Sequence, residues 1–149
     1  MWIQTTRFGD VEVDDQRVLR FPKGLLGFPS CKHYVLLEAG EDAYFWWLQS
    51  ADRPDLAFVV TDPSLFVPTY RVPIREEQMA ELGIDQPDDC QVFCIVNKRD
   101  QTLTGNLQGP LVIHVERRMG EQLVLSDRRY TTKVPLIELG QPAELAQSA

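Results

Sequence analysis

The run Leu56-Ala57-Phe58-Val59-Val60-Thr61-Asp62-Pro63-Ser64 decides the fold class. Apolar, aromatic and β-branched residues suit a half-buried pleated strand, and the run stops where Pro63 fixes φ and Asp62 and Ser64 offer turn-forming side chains. Similar segments recur on both sides of it: Trp2–Thr6, Val11–Val13, Val18–Phe21, Tyr34–Leu37, Tyr44–Gln49, Gln91–Asn97, Leu111–Glu116, Gln122–Leu125 and Tyr130–Val134. Turn residues lie between them at Phe8-Gly9-Asp10, Pro22-Lys23-Gly24, Ala39-Gly40 and Met119-Gly120. Regular short strands with tight connections predict an all-β domain, either a barrel or a sandwich. Leu111–Glu116 and Gln122–Leu125 are expected to form a hairpin turning through Arg117–Glu121. Phe21, Leu25 and Phe28 are expected to close one end of the barrel around Gly24 and Gly27.

One helix is predicted, over Arg75–Leu82. Glu76 and Glu77 suit its first turn, Met79 and Leu82 share a face, and Gly83 stops it. The 149 residues fit one domain, expected over residues 1–137, with residues 138–149 a flexible C-terminal tail poor in groups to bury.

Composition narrows the function classes. No apolar run approaches the ~20 residues of a membrane-spanning helix. Met1–Arg7 contains no signal-peptide pattern, so the mature chain is expected to begin at or near Met1. The three cysteines lack a disulfide spacing, which points to a reducing compartment and a cytoplasmic protein. Residues 1–95 hold 16 acids against 8 bases, and residues 96–149 hold 6 against 7. A chain of pI about 4.8 repels phosphate backbones, so a basic protein is a more natural partner than nucleic acid.

Catalytic signatures are absent: there is no G-x-S-x-G elbow, phosphate-binding loop, H-E-x-x-H pair or dinucleotide fingerprint. Cys31-Lys32-His33 places a thiol near an imidazole without an orienting third group. Cys90 and Cys94 lie on a strand that would hold their sulfurs about 13 Å apart, too far for a disulfide or a shared metal. His114 sits in Leu-Val-Ile-His-Val-Glu with no second ligand at useful spacing, and reads as a hydrogen-bonded strand histidine. No catalytic residue, metal or cofactor is expected.

Tyr44-Phe45-Trp46-Trp47-Leu48 is the most unusual segment, since alternation gives both faces of one strand large aromatic side chains. Burial on both sides is one reading. The other is a core face backed by an interface face, because Trp and Tyr favour protein interfaces. A base-stacking platform would need basic neighbours, whereas Glu38, Glu41, Asp42, Asp52 and Asp55 surround these rings.

Several blocks resemble the FliW family of flagellar assembly factors: Phe21-Pro22-Lys23-Gly24-Leu25-Leu26-Gly27-Phe28, Trp47-Leu48-Gln49-Ser50 and Leu56–Pro63. Asn106-Leu107-Gln108-Gly109-Pro110-Leu111-Val112-Ile113, Gln122–Leu125 and Tyr130–Leu136 are similar to its later segments. The resemblance runs from about Ile3 to Leu136, with departures at Leu26, where the family commonly has Pro, and Gly109, where it commonly has Ala. It implies a small pseudo-barrel of two packed antiparallel sheets that binds flagellin and the RNA-binding translational repressor CsrA by partner exchange. Within that frame the partner surface is expected at Tyr44, Trp46, Gln49, Ser50, Asp52, Asp55, Asp62, Leu65, Phe66 and Tyr70. Leu65-Phe66-Val67 forms an apolar run directly after a turn there. The competing reading is a small split-barrel flavoprotein, for which Arg117-Arg118 and Arg128-Arg129 would have to supply a phosphate site.

Overall fold

The computed structural model describes residues 1–40 and 44–139. Eleven strands are present among them: β1 (Trp2–Thr5), β2 (Gly9–Glu12), β3 (Leu19–Arg20), β4 (His33–Glu38), β5 (Phe45–Ser50), β6 (Ala57–Thr61), β7 (Cys90–Arg99), β8 (Thr102–Gly105), β9 (Leu111–His114), β10 (Met119–Gln122) and β11 (Val134–Glu138). The one α-helix among the described residues, α1, spans Glu76–Leu82. The all-β class with one short helix stands as expected, and two sheets are present.

The larger sheet runs β11-β8-β7-β6-β5-β4-β3-β10-β9, and β9 returns to pair with the first half of β7. Seven strands therefore close into a barrel, with β8 and β11 extending from the second half of β7. Closure removes sheet edges that would otherwise template aggregation. One contact is parallel: Met119 of β10 sits beside Arg20 of β3. The smaller sheet is the β1–β2 hairpin, laid over the outside of the barrel.

Period-two alternation explains the cores. Leu19, Tyr34, Leu48, Val60, Phe93, Leu111 and Ile113 meet inside the barrel, joined by Trp46 and Phe58. The opposite faces supply Cys94, Val96 and Val112 to a second cluster, where α1 adds Leu82 and the loops add Tyr70, Ile84 and Leu107. Ile3, Val13 and Val35 form a third beneath the β1–β2 hairpin. Strands covered on both sides carry apolar residues on both faces, which is why alternation in this sequence is blurred. Phe21 and Leu25 close one barrel end as expected, with Leu25 bridged to Phe28 and both Gly24 and Gly27 at positive φ.

Several expectations move. The β9–β10 hairpin forms, but its second strand begins at Met119, pairing His114 with Met119 and Leu111 with Gln122. Arg118 adopts φ 55° and the Nδ1 of His114 accepts the Arg117 N–H at 3.1 Å, so the turn closes earlier than the expected Arg117–Glu121 turn. Leu123 and Leu125 then lie beyond the strand, where their N–H groups donate to Pro110 and Gln108. The last strand is Val134–Glu138 rather than Tyr130–Val134, and it carries Pro135 at an irregularity, as an edge strand can. β8 has no counterpart among the expected strands. Arg75 lies just outside α1, its N–H donating to the Gln78 side chain, and Gly83 ends the helix at φ 71°. Of the tail expected over residues 138–149, Glu138 belongs to β11 and Leu139 donates its N–H to Gln101. The rest lies outside the described residues.

Candidate functional site

The β5–β6 hairpin divides the expected partner surface in two. β5 runs from Phe45 to Ser50, so residues at its ends stand about 17 Å apart. Tyr44 lies at one end together with Asp62, Leu65 and Phe66, because Phe45 pairs with Thr61 and the Thr61 hydroxyl donates to the Tyr44 carbonyl. Gln49, Ser50, Asp52 and Asp55 lie at the other end, in and around the turn between the strands.

At the first end, Asp62 starts a 3-10 turn over Pro63–Leu65, its carboxylate accepting the Ser64 N–H at 2.9 Å and the Ser64 hydroxyl at 2.7 Å. That turn throws Leu65 into solvent, where it is 50% exposed, and Tyr44 at the same end of the hairpin is 53% exposed. Phe66 is half-buried and stacks on Phe45 with ring centroids 6.0 Å apart. Phe66 thus belongs partly to the fold and partly to the surface. Trp46 is half-buried against the barrel core, and its neighbour Trp47 is covered on the outer face by the Arg7 guanidinium at 4.2 Å and the edge of Phe8 at 5.9 Å. The aromatic strand is covered on both faces, and the hairpin turn that covers Trp47 carried no signal linking it to β5.

Three expected contact residues are buried. Gln49 and Ser50 have no exposed surface. The Gln49 amide donates to the carbonyls of Ser50, Pro54 and Leu56, and the Ser50 hydroxyl accepts from the backbone N–H groups of Asp52 and Arg53. Both hold the β5–β6 turn together. Tyr70 is 5% exposed, donates its hydroxyl to the Leu107 carbonyl at 2.7 Å, and packs edge-on against Tyr130 at 4.7 Å. Burial raises its phenol well above the usual tyrosine range.

The remaining acids are occupied locally. Asp55 forms an ion pair with Arg53 at 2.9 Å, an exposed contact of small energetic consequence. Asp52 accepts the backbone N–H groups of Lys32 at 2.7 Å and His33 at 2.9 Å, and its oxygens lie 3.2 Å from the His33 ring. Partial burial pushes this carboxyl upward, but those hydrogen bonds outweigh it and hold the group below the usual carboxylate range. A carboxyl depressed by folding contributes stability that is present above its unfolded pKa and lost as pH falls through the folded one. Asp52→Asn is therefore expected to be less stable than the parent at pH 7. The difference should shrink as the pH is lowered through the carboxylate range, which urea midpoints at pH 7 and pH 3 would show. A constant difference would mean that the ionised form has no special role.

The groups considered for chemistry fall into structural places. Cys31 is buried in the barrel core, and Cys94 is buried with its thiol pushed up to about 12. His114 is buried and occupied by the Arg117 N–H. Arg129 is bound to Asp127, and Arg118 reaches the Gln16 carbonyl, so the paired arginines do not converge on one phosphate site. No group of three or more metal-ligating side chains occurs among the described residues, and no helix there is long and apolar enough to cross a membrane.

These features define a small closed β-barrel with apolar and acidic groups on its surface. The comparisons with known proteins agree in one direction. The family model described as FliW protein matches residues 2–136. The flagellar assembly factor FliW of Natranaerobius thermophilus is 37% identical over 139 residues, covering 91% of this chain and 92% of that protein. That of Heliobacterium modesticaldum is 43% identical over 135 residues, covering 89% and 88%. A crystal structure of the flagellar assembly factor FliW superposes with a TM-score of 0.83 at 35% identity, covering 92% of this chain and 97% of that one. The chain belongs to the FliW family of flagellar assembly factors.

Proposed function

We infer that this protein works as a partner-exchange regulator in the cytoplasm, binding flagellin in one state and the translational repressor CsrA in the other. Flagellin held by the protein leaves CsrA free to repress flagellin translation; once flagellin is exported, the vacated protein takes up CsrA and relieves the repression. The observation that carries this reading is the surface at the Tyr44 end of β5. Two large side chains, Tyr44 and Leu65, stand half or more exposed at the end of the hairpin that also carries the Phe45–Phe66 stack and the Asp62 carboxylate. Apolar groups in that setting are the usual anchors of a protein interface. The three free cysteines suit a reducing compartment.

The net charge of −7 supports the CsrA arm, because a protein that holds RNA is basic where it does so and an acidic neighbour disfavours phosphate there. Retention of both clients from a cell lysate on immobilised protein is the direct test; loss of both would sink the reading. Charge gives a sharper expectation. Asp52→Asn, Asp55→Asn and Asp62→Asn together should slow association with CsrA and leave RNA on CsrA at concentrations where the parent displaces it. Asparagine keeps an oxygen acceptor for the Lys32, His33 and Ser64 N–H groups, so the change falls mainly on charge. Since Asp62 lies at the opposite end of the hairpin from the other two, Asp62→Asn alone also reports which end CsrA approaches. Stopped-flow association at two salt concentrations and an RNA-release titration read the result. Salt-independent rates with full release by the triple variant would show that the charge serves solubility alone.

A further inference from the structure

A groove of about 490 Å³ opens where β6 leaves β7. Its apolar lining includes Pro63, Val72, Ile74, Met79, Ile84 and Val92, drawn from the 3-10 turn, the segment before α1, the helix itself, the loop into β7 and β7. β6 pairs with β7 only at Cys94, Ile95 and Val96, and turns away at Asp62. The first residues of β7, Cys90 to Phe93, pair with β9 on the opposite edge. Among the described residues no strand covers them on the groove side.

The direction of their peptide groups follows from alternation. Ile95 turns its carbonyl to the Asn106 N–H at 2.9 Å, away from β6, so Cys94 points towards β6, and Val92 and Cys90 point the same way, into the groove. The contacts agree: the Cys90 N–H is taken by the Pro87 carbonyl, and among the described residues the Val92 carbonyl receives the Gln91 side-chain amide alone, at 3.1 Å. Among the described residues the Val92 N–H and the Cys90 carbonyl are left facing an apolar trough, the arrangement by which an extended chain adds to a sheet edge.

Asp62 and Arg71 line the groove itself, and the chain segments that form it carry acids in excess. Glu76 and Glu77 begin the helix that supplies Met79, and Asp85, Asp88 and Asp89 flank Ile84 and Pro87. Against them stand Arg71, whose guanidinium is turned onto the Pro68 and Tyr70 carbonyls, and Arg75 near Glu77.

We propose that this groove takes an extended segment of a partner protein as an added strand beside Cys90–Val92. The segment carries apolar side chains alternating with lysine or arginine: the apolar ones fill the trough, the basic ones meet these acids, and its backbone replaces the Gln91 amide on Val92. The proposal rests on the reading above only in taking the occupant to be a protein. It is tested without flagellin or CsrA, so its failure and that of partner exchange are separable. The probe is the capped octapeptide Val-Lys-Ile-Lys-Val-Lys-Ile-Lys, made in three further forms: with glutamate for every lysine, and with backbone N-methyl groups on either alternate set of residues.

Saturable binding by fluorescence anisotropy is expected for the parent peptide, with loss of at least tenfold for the glutamate form and for one methylated set only. The Val92 amide resonance should move and gain protection from exchange. Met79→Trp, which fills the trough, should weaken binding at least tenfold. Should that variant prove unstable, the methylation contrast on the unaltered protein decides. Absence of binding, equal loss for both methylated sets, or an unmoved Val92 amide would overturn the proposal.

Discussion

Gly24→Ala is expected to destabilise the fold by about 3 kcal/mol or more, the largest loss we anticipate from adding a single methyl group. Gly24 adopts φ +68°, and a Cβ built there would lie 2.6 Å from the Phe28 carbonyl oxygen, 2.6 Å from Pro29 Cα and 2.7 Å from the Pro29 oxygen. All three obstacles are backbone, so no side chain can swing aside. The Gly24 N–H is also fixed on the Phe21 carbonyl at 2.8 Å, and Phe21 is wholly buried in the barrel. Gly27 supplies the internal control: its φ of +87° is equally unsuited to alanine, yet nothing lies within 4 Å of its built Cβ. Gly27→Ala should therefore lose only the conformational part, about 1 kcal/mol. Urea midpoints of the two variants measure the contrast, and equal shifts would show that the close approach at Gly24 relaxes without cost.

The same turn marks what a reader of the sequence can see. Glycines after Pro22 and before Phe28 declare tight turns because few other residues fit there, and the valines and aromatics of β5, β6 and β7 declare strands. Such signals are local. The closure of β9 onto β7 is not local, since it depends on one long strand serving two neighbours along the same edge. Nor does Thr102-Leu103-Thr104-Gly105 announce itself as β8; it becomes a strand because the Asp100-Gln101 turn, with Asp100 at φ 56°, sends the chain back on β7. The candidate surface was legible in part for a related reason. Tyr44 and Leu65 follow from apolar residues beside a turn. Gln49, Ser50 and Tyr70 look like surface polar groups until their partners, the carbonyls and N–H groups of the β5–β6 turn and the Leu107 carbonyl, are seen to surround them.

On the partner exchange proposed above, Leu65→Asp should abolish client retention while leaving stability within about 0.5 kcal/mol of the parent. Leu65 is half exposed, so its replacement opens little cavity, and its backbone N–H remains on the Asp62 carbonyl whatever the side chain. A charge at the centre of an apolar contact must be desolvated on binding without a partner, which weakens association by well over tenfold, ~1.4 kcal/mol at the least. Phe66→Ala separates the same effects poorly. Removing a half-buried ring that stacks on Phe45 empties space in the fold, and a loss of binding could then follow from a loss of structure. The measurement pairs thermal unfolding with retention of flagellin and of CsrA on the immobilised variant. Loss of both clients by Leu65→Asp places them on one shared surface, which is the physical requirement for exchange by competition. Loss of only one would assign Leu65 to that client and require the exchange to be transmitted between separate sites. Full retention of both, with an unchanged melting temperature, would remove the Tyr44 end of the barrel from the interface.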